Sequence, residues 1–126
     1  MLTLPPSVKV FVATTRVDLR RGHDGLVSLV RDQWKLSPFD GHLFVFFGKR
    51  SDRVKVLFWD NNGFVIHYKR LSQGRFVLPS FDTKETQLEM DFRTLAMILD
   101  GIDIRGLKRM ARWTPKGTKP AQAPAA

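Results

Sequence analysis

Seven cations and two carboxylates share residues 42 to 78, the stretch HLFVFFGKRSDRVKVLFWDNNGFVIHYKRLSQGRFVL. Lys49, Arg50, Arg53, Lys55, Lys69, Arg70 and Arg75 stand against Asp52 and Asp60 alone, so the stretch carries +5 in a chain of net charge +9. Cations interleaved with aromatic residues suit a polyanion, and nucleic acid is the commonest one. Arginine adds forked donors that match a phosphate. Lys49, Arg50 and Arg53 fall on one loop tip, Lys69 and Arg70 end the next strand, and Arg75 follows within a short turn. Arg20 and Arg21 form a further cationic pair upstream. The plainer reading of the same charges is a solvated sheet edge guarded against aggregation.

The residue types that carry catalysis do not assemble. His23, His42 and His67 lack paired metal spacing such as H-E-x-x-H, and the chain has no Cys for a thiolate site or a disulfide. Asp18, Asp24, Asp40, Asp52 and Asp60 sit beside turns, helix starts or cations. Asp24 suits a helix cap, and Asp18 suits a pair with Arg20 or Arg21. A two-metal nuclease needs converging carboxylates, and three cannot be gathered from this pattern. No phosphate-binding G-x-x-x-x-G-K-S/T loop and no nucleophile elbow is present. The expectation is a protein with no catalytic residue, no metal and no cofactor.

These residues need elements to hold them. Val8, Val10 and Val12 alternate with Lys9 and Phe11 as a first strand. Residues 22 to 35 have helical spacing, with Leu26, Val27, Leu29, Val30 and Trp34 on one side. Three strands then form a meander. Reading Asn61-Asn62-Gly63 as a three-residue loop pairs Asp60 with Phe64, Phe58 with Ile66 and Val56 with Tyr68. Reading residues 48 to 52 as a five-residue loop pairs Phe46 with Val54 and Phe44 with Val56. The even-numbered residues Phe44, Phe46, Val54, Val56, Phe58, Phe64, Ile66 and Tyr68 then form a core face. Lys55 would face Lys69, a like-charge pair that destabilises a sheet unless an anion intervenes or the chains splay into water. Leu57 and Trp59 would lie on the other face, needing cover from a helix, a second sheet or a partner. Phe76 to Leu78 reads as a short strand, and 86 to 90 as strand or loop. Asp91 opens a helix through Asp100 that Gly101 and Ile102 close. The fold class expected is a single α+β domain over 1–104, a curled antiparallel sheet with a central three-strand meander, packed by two helices.

An apolar share of 43% in 126 residues is that of one globular domain. Residues 105 to 126 hold six cations and no acid and end in Pro and Ala, a basic tail expected to be disordered at its end. Within it, the spacing of Leu107, Met110 and Trp113 also suits a terminal helix face. The start, MLTLPPSVKV, lacks the pattern of a signal peptide, and no apolar run reaches the roughly 18 residues of a spanning helix. A soluble, cytoplasmic protein with no membrane role is expected.

Three segments together carry a resemblance. RVDLRRGHDGL (16–26), DGHLFVFFGKRSDRVKVLFWDNNGF (40–64) and YKRLSQGRF (68–76) closely resemble the small accessory protein, TnpB or second open reading frame, of IS66-type bacterial insertion sequences. The resemblance spans roughly residues 5 to 104. Matching positions include Asp18, Arg20, Gly22, Arg53, Lys55, Trp59, Tyr68, Lys69, Arg70 and Arg75. Asn62 stands where the family usually has an acid, and His23 where an apolar residue is common. The resemblance implies a role in transposition beside a larger transposase encoded separately, and no established catalytic activity.

The reading is a non-enzymatic accessory factor that binds DNA through Arg20, Arg21, Lys49, Arg50, Arg53, Lys55, Lys69, Arg70 and Arg75, with Leu57 and Trp59 facing a partner. Phosphate contacts of this kind give affinity with little sequence information. The rival is an adaptor that docks the transposase without touching DNA. A small nuclease is the third reading.

Overall fold

Leu43–Phe47 reads Leu-Phe-Val-Phe-Phe, with no polar residue to face water on either side. Such a run is stable only as a strand covered on both faces. In the computed structural model, which describes residues 7–81, 83–103, 117–118 and 120–121, it is the middle strand of a five-stranded sheet. The elements are β1 (Val10–Ala13), α1 (His23–Ser28) continuing as a π-helical turn (Leu29–Gln33), β2 (Leu43–Phe47), β3 (Arg53–Asp60), β4 (Gly63–Arg70), β5 (Gln87–Met90) and α2 (Phe92–Leu99). A separate pair joins β6 (Gly117–Thr118) to β7 (Pro120–Ala121). The basic tail's remaining positions, including Leu107, Met110 and Trp113, lie outside the described residues.

The strand order is β4-β3-β2-β1-β5. This is a single α+β domain with two helices, as expected, but the sheet is open and mixed rather than wholly antiparallel. β1 runs parallel to β2, with Val10 beside Leu43 and Val12 beside Val45. Parallel neighbours need a crossover of a dozen residues or more, and α1 supplies it. β5 closes the far side, antiparallel to β1. Residues 76 to 78 form no strand.

The meander register differs by one residue from the expected one. Asp60 pairs with Gly63, Phe58 with Val65, Val56 with His67 and Lys55 with Tyr68. The connection is two residues, Asn61–Asn62, with Asn61 at φ 57°. Asn tolerates that left-handed backbone, so Gly63 is released to the strand. At the other hairpin Phe47 pairs with Val54 and Phe44 with Leu57. The even-numbered residues therefore divide between two faces, and each face has its own core.

Val10, Val12, Val45, Phe47, Val54 and Val56 pack beneath α2 with Leu95, Ile98 and Phe76. Ala13, Phe44, Phe46 and Leu57 pack beneath α1 and its π turn with Leu26, Leu29, Val30 and Trp34. The Trp34 and Phe46 rings stack at 5.1 Å. The predicted α1 stripe is thus buried, Val27 only partly. Helix α2 ends as read: the Gly101 N–H donates to Ile98, and the Ile102 N–H to Met97, with Gly101 at φ 81°.

Candidate nucleic-acid interface

Three chain segments meet at the β4 end of the α1 face. The first leaves β1 and runs beside the β2–β3 hairpin: the Val17 N–H donates to the Phe47 carbonyl, and Val17 bridges to Gly48. The second is the hairpin tip. The Gly48 N–H donates to Arg53, the Ser51 N–H donates to Gly48, and Ser51 takes φ 60°. The third follows β4 and docks on that tip, with the Leu71 N–H donating to Asp52 (2.8 Å) and the Phe76 N–H to Ser51 (2.7 Å). The first two segments pass closely at Gly48. A Cβ there would meet Leu19 Cδ1 at 3.0 Å.

Between them lies an open cleft of about 520 Å³, walled by Asp18, Arg20, Lys49, Arg50, Asp52, Arg53 and Tyr68 over Val17 and Leu19. Arg20 forks onto Asp18, with Nη2 to Oδ2 at 2.6 Å and Nε to Oδ1 at 3.0 Å. Those bonds hold the Asp18 carboxyl well below its ordinary range, with its backbone bond from Arg20 adding to the effect. Arg53 Nη1 donates to the Tyr68 hydroxyl (3.2 Å), while Arg53 Nε lies 3.9 Å from Asp52 Oδ1. Both of those buried atoms lack a hydrogen-bond partner among the described residues. Lys55 Nζ donates to the Arg21 carbonyl (2.9 Å) and sits 5.1 Å from the Tyr68 ring centroid.

The register places Arg53 directly opposite Arg70. Like charges in that position repel, and an anion between or beside them relieves the repulsion. Lys49, Arg50, Arg70 and Arg75 are exposed and form no ion pair among the described residues. The predicted Lys55–Lys69 juxtaposition does not occur, because the one-residue change puts Tyr68 across from Lys55.

Most of the cations read from the sequence come together here. Arg20, Lys49, Arg50 and Arg53 line the cleft. Lys55 is tied beside it to the Arg21 backbone carbonyl, and Arg70 adjoins Arg53. Arg75 lies one residue before Phe76, whose N–H is bonded to the hairpin tip. Lys69 does not join them. It shares the α2 face with Val54, and its Nζ donates to the Leu99 carbonyl (2.7 Å) at the end of α2. Leu57 is fully buried beneath α1 and offers no surface to a partner. Trp59 is half-buried, edge-on to Phe64 and Phe39 at 5.0 and 5.1 Å.

Two residues escaped the sequence reading. Tyr68, assigned there to the core, is 52% exposed at the rim of the cleft. Its hydroxyl was the available signal, since a buried tyrosine needs a partner that phenylalanine does not. Arg16 braces the hairpin tip through Nε to Ser51 Oγ (2.7 Å), and partial burial lowers its pKa from the ordinary value. Its place in R-V-D-L-R-R, beside the two arginines already singled out, was the available hint.

Among the described residues no group of three or more His, Asp or Glu is placed to hold a metal ion, and no helix is long and apolar enough to cross a membrane. A family model described as "IS66 Orf2 like protein" matches residues 8–109. Two curated relatives come from Sinorhizobium fredii (strain NBRC 101917 / NGR234), and both are described as uncharacterized. Protein y4jC is 34% identical over 117 residues, 93% of this chain and 91% of its own length. Protein y4hO is 37% identical over 117 residues, 93% of this chain and all of its own. No solved structure matches the chain.

Proposed function

The chain belongs to the IS66 Orf2-like family, which implies a transposition-associated accessory role, and from that premise we propose that it acts without catalysis by binding DNA beside a separate transposase. The observation that carries the DNA reading is the convergence of the 16–21 segment, the 48–53 hairpin tip and the end of β4 around one cationic cleft. Arg53 opposite Arg70 makes that surface short of an anion. Phosphates supply one, and contacts of this kind fix position on DNA with little regard to sequence.

Arg50 and Arg70 suit the test because both are exposed and neither side chain is bonded among the described residues. Each phosphate contact contributes about 0.9 to the slope of log affinity against log salt on duplex DNA. The double variant R50Q/R70Q should lose about two units of that slope on specific and random duplex alike. An unchanged slope in a folded double variant removes this surface from DNA binding. With magnesium or manganese the purified protein should neither nick nor join DNA. Cleavage abolished by D18N would make it an enzyme.

A second reading has its own support. Phe39 is 56% exposed and lies over Trp59 and Phe64 at the opposite end of β3 and β4 from the cleft. An adaptor would dock the transposase there and use its charge for solubility. Loss of transposase capture in F39S, with the DNA salt slope intact, would favour it.

A further inference from the structure

Tyr68 is the large aromatic residue that the fold exposes within the cationic cleft. Its ring is held from two sides. Lys55, directly across the sheet, stands 5.1 Å from the ring centroid and is itself fixed by its bond to the Arg21 carbonyl. Arg53 holds the hydroxyl at 3.2 Å. A ring fixed in this way loses little freedom when it takes up a ligand. Among the described residues β4 is the outermost strand of the sheet, and no further strand flanks it on that side. Arg70 lies two residues along the strand, roughly 7 Å away, within the reach of one nucleotide.

Resting on the DNA reading above, we infer that Tyr68 is a stacking platform for an unpaired base, so that the cleft takes single-stranded DNA in preference to duplex. A duplex buries its base faces in its own stack and offers this ring only its backbone. An unpaired base lies flat on an aromatic ring while adjacent arginines take its phosphates, the arrangement that sequence-tolerant single-strand binders use. The neighbouring charges fit the same ligand. Lys55 polarises the ring, and the Arg53–Arg70 pair lies where the flanking phosphate falls.

Fluorescence anisotropy of the full chain tests this with three labelled probes: a twelve-nucleotide oligothymidylate, an abasic strand with the same number of phosphates, and a blunt twelve-base-pair duplex. The oligothymidylate should bind about tenfold more tightly than the abasic strand, the effect of stacking one base. Y68L should abolish that difference, bringing the oligothymidylate down to the affinity of the abasic strand measured on the same variant. Y68F, which keeps the ring, should retain it. Duplex binding with equal affinity for oligothymidylate and abasic strand would overturn the stacking inference alone. A uniform loss on all three probes in Y68L would overturn it too, by making Tyr68 a structural residue. Failure of the wild-type protein to bind any probe would remove the DNA reading as well.

Discussion

Replacing Leu57 by Ala separates the folded arrangement described here from one in which this residue meets a partner. Leu57 is fully buried, opposite Phe44 on one strand and Ile66 on the other, under Leu26, Leu29 and Val30. A buried Leu→Ala change removes transfer free energy and leaves a cavity, together about 2–5 kcal/mol. The surroundings resist collapse, since Trp34 is stacked on Phe46 and the sheet is hydrogen-bonded on both sides. A loss near the middle of that range, ~3 kcal/mol, is therefore expected. Set against a total stability of about 5–15 kcal/mol, it is a large fraction. At roughly 4–8 °C per kcal/mol for a domain of this size, Tm should fall by about 12 °C or more. Circular dichroism melts and urea titrations measure it, and an unchanged m-value would show that the loss is one of stability alone. A Tm within about 3 °C of wild type would refute the burial of Leu57 beneath α1.

Other expectations follow from single contacts. G48A and L19A should couple in a double-mutant cycle measured by urea unfolding, the double variant losing less than the sum of the singles, because the new methyl would meet Leu19 Cδ1 at 3.0 Å. K69Q should weaken the end of α2 by about 0.3–1 kcal/mol, read as faster amide exchange near Leu99, and should leave the DNA salt slope unchanged. Asp18, whose pKa is depressed in the folded state by Arg20, adds its stabilisation above the ordinary carboxylate range. That contribution is lost as pH falls through the folded value. A carbon-detected NMR titration should place the Asp18 midpoint below the ordinary carboxylate value and show it rising in R20Q.

The elements were readable wherever one local pattern decided them. The Leu26 to Trp34 stripe, the Gly101 stop and the existence of the three meander strands all follow from periodicity and turn chemistry. The register was not readable, for a specific reason. β2 is apolar at every position, so its alternation carries no information about which face is which. The choice then fell on the Asn61-Asn62-Gly63 turn, where Asn61 rather than Gly63 takes the left-handed backbone. Because side chains alternate with a period of two, that single residue moved every partner across β3 and β4 to the other face. The result transferred Tyr68 from core to surface and Lys69 to α2, whereas Leu57 kept its place on the face opposite Val56 and is buried because α1 covers that face. The parallel β1–β2 pair was equally hidden, since nothing local shows that the chain returns through α1 to lie beside its own first strand. The cationic cleft survived the change. Its members come from segments whose proximity depends on the hairpin tip and the docked 71–76 turn, with Arg53 adjoining Arg70 in place of Leu71.

The measurement that bears most directly on the central claim is an amide footprint of the protein titrated with DNA, recorded by NMR at low salt. Shifts should concentrate at residues 16–21, 48–53 and 68–76 and fade as salt is raised, with α2 and the Phe39–Trp59–Phe64 cluster undisturbed. A footprint centred on α2 or on that aromatic cluster, or no shift at all, would contradict the assignment of the cleft as the DNA-binding surface.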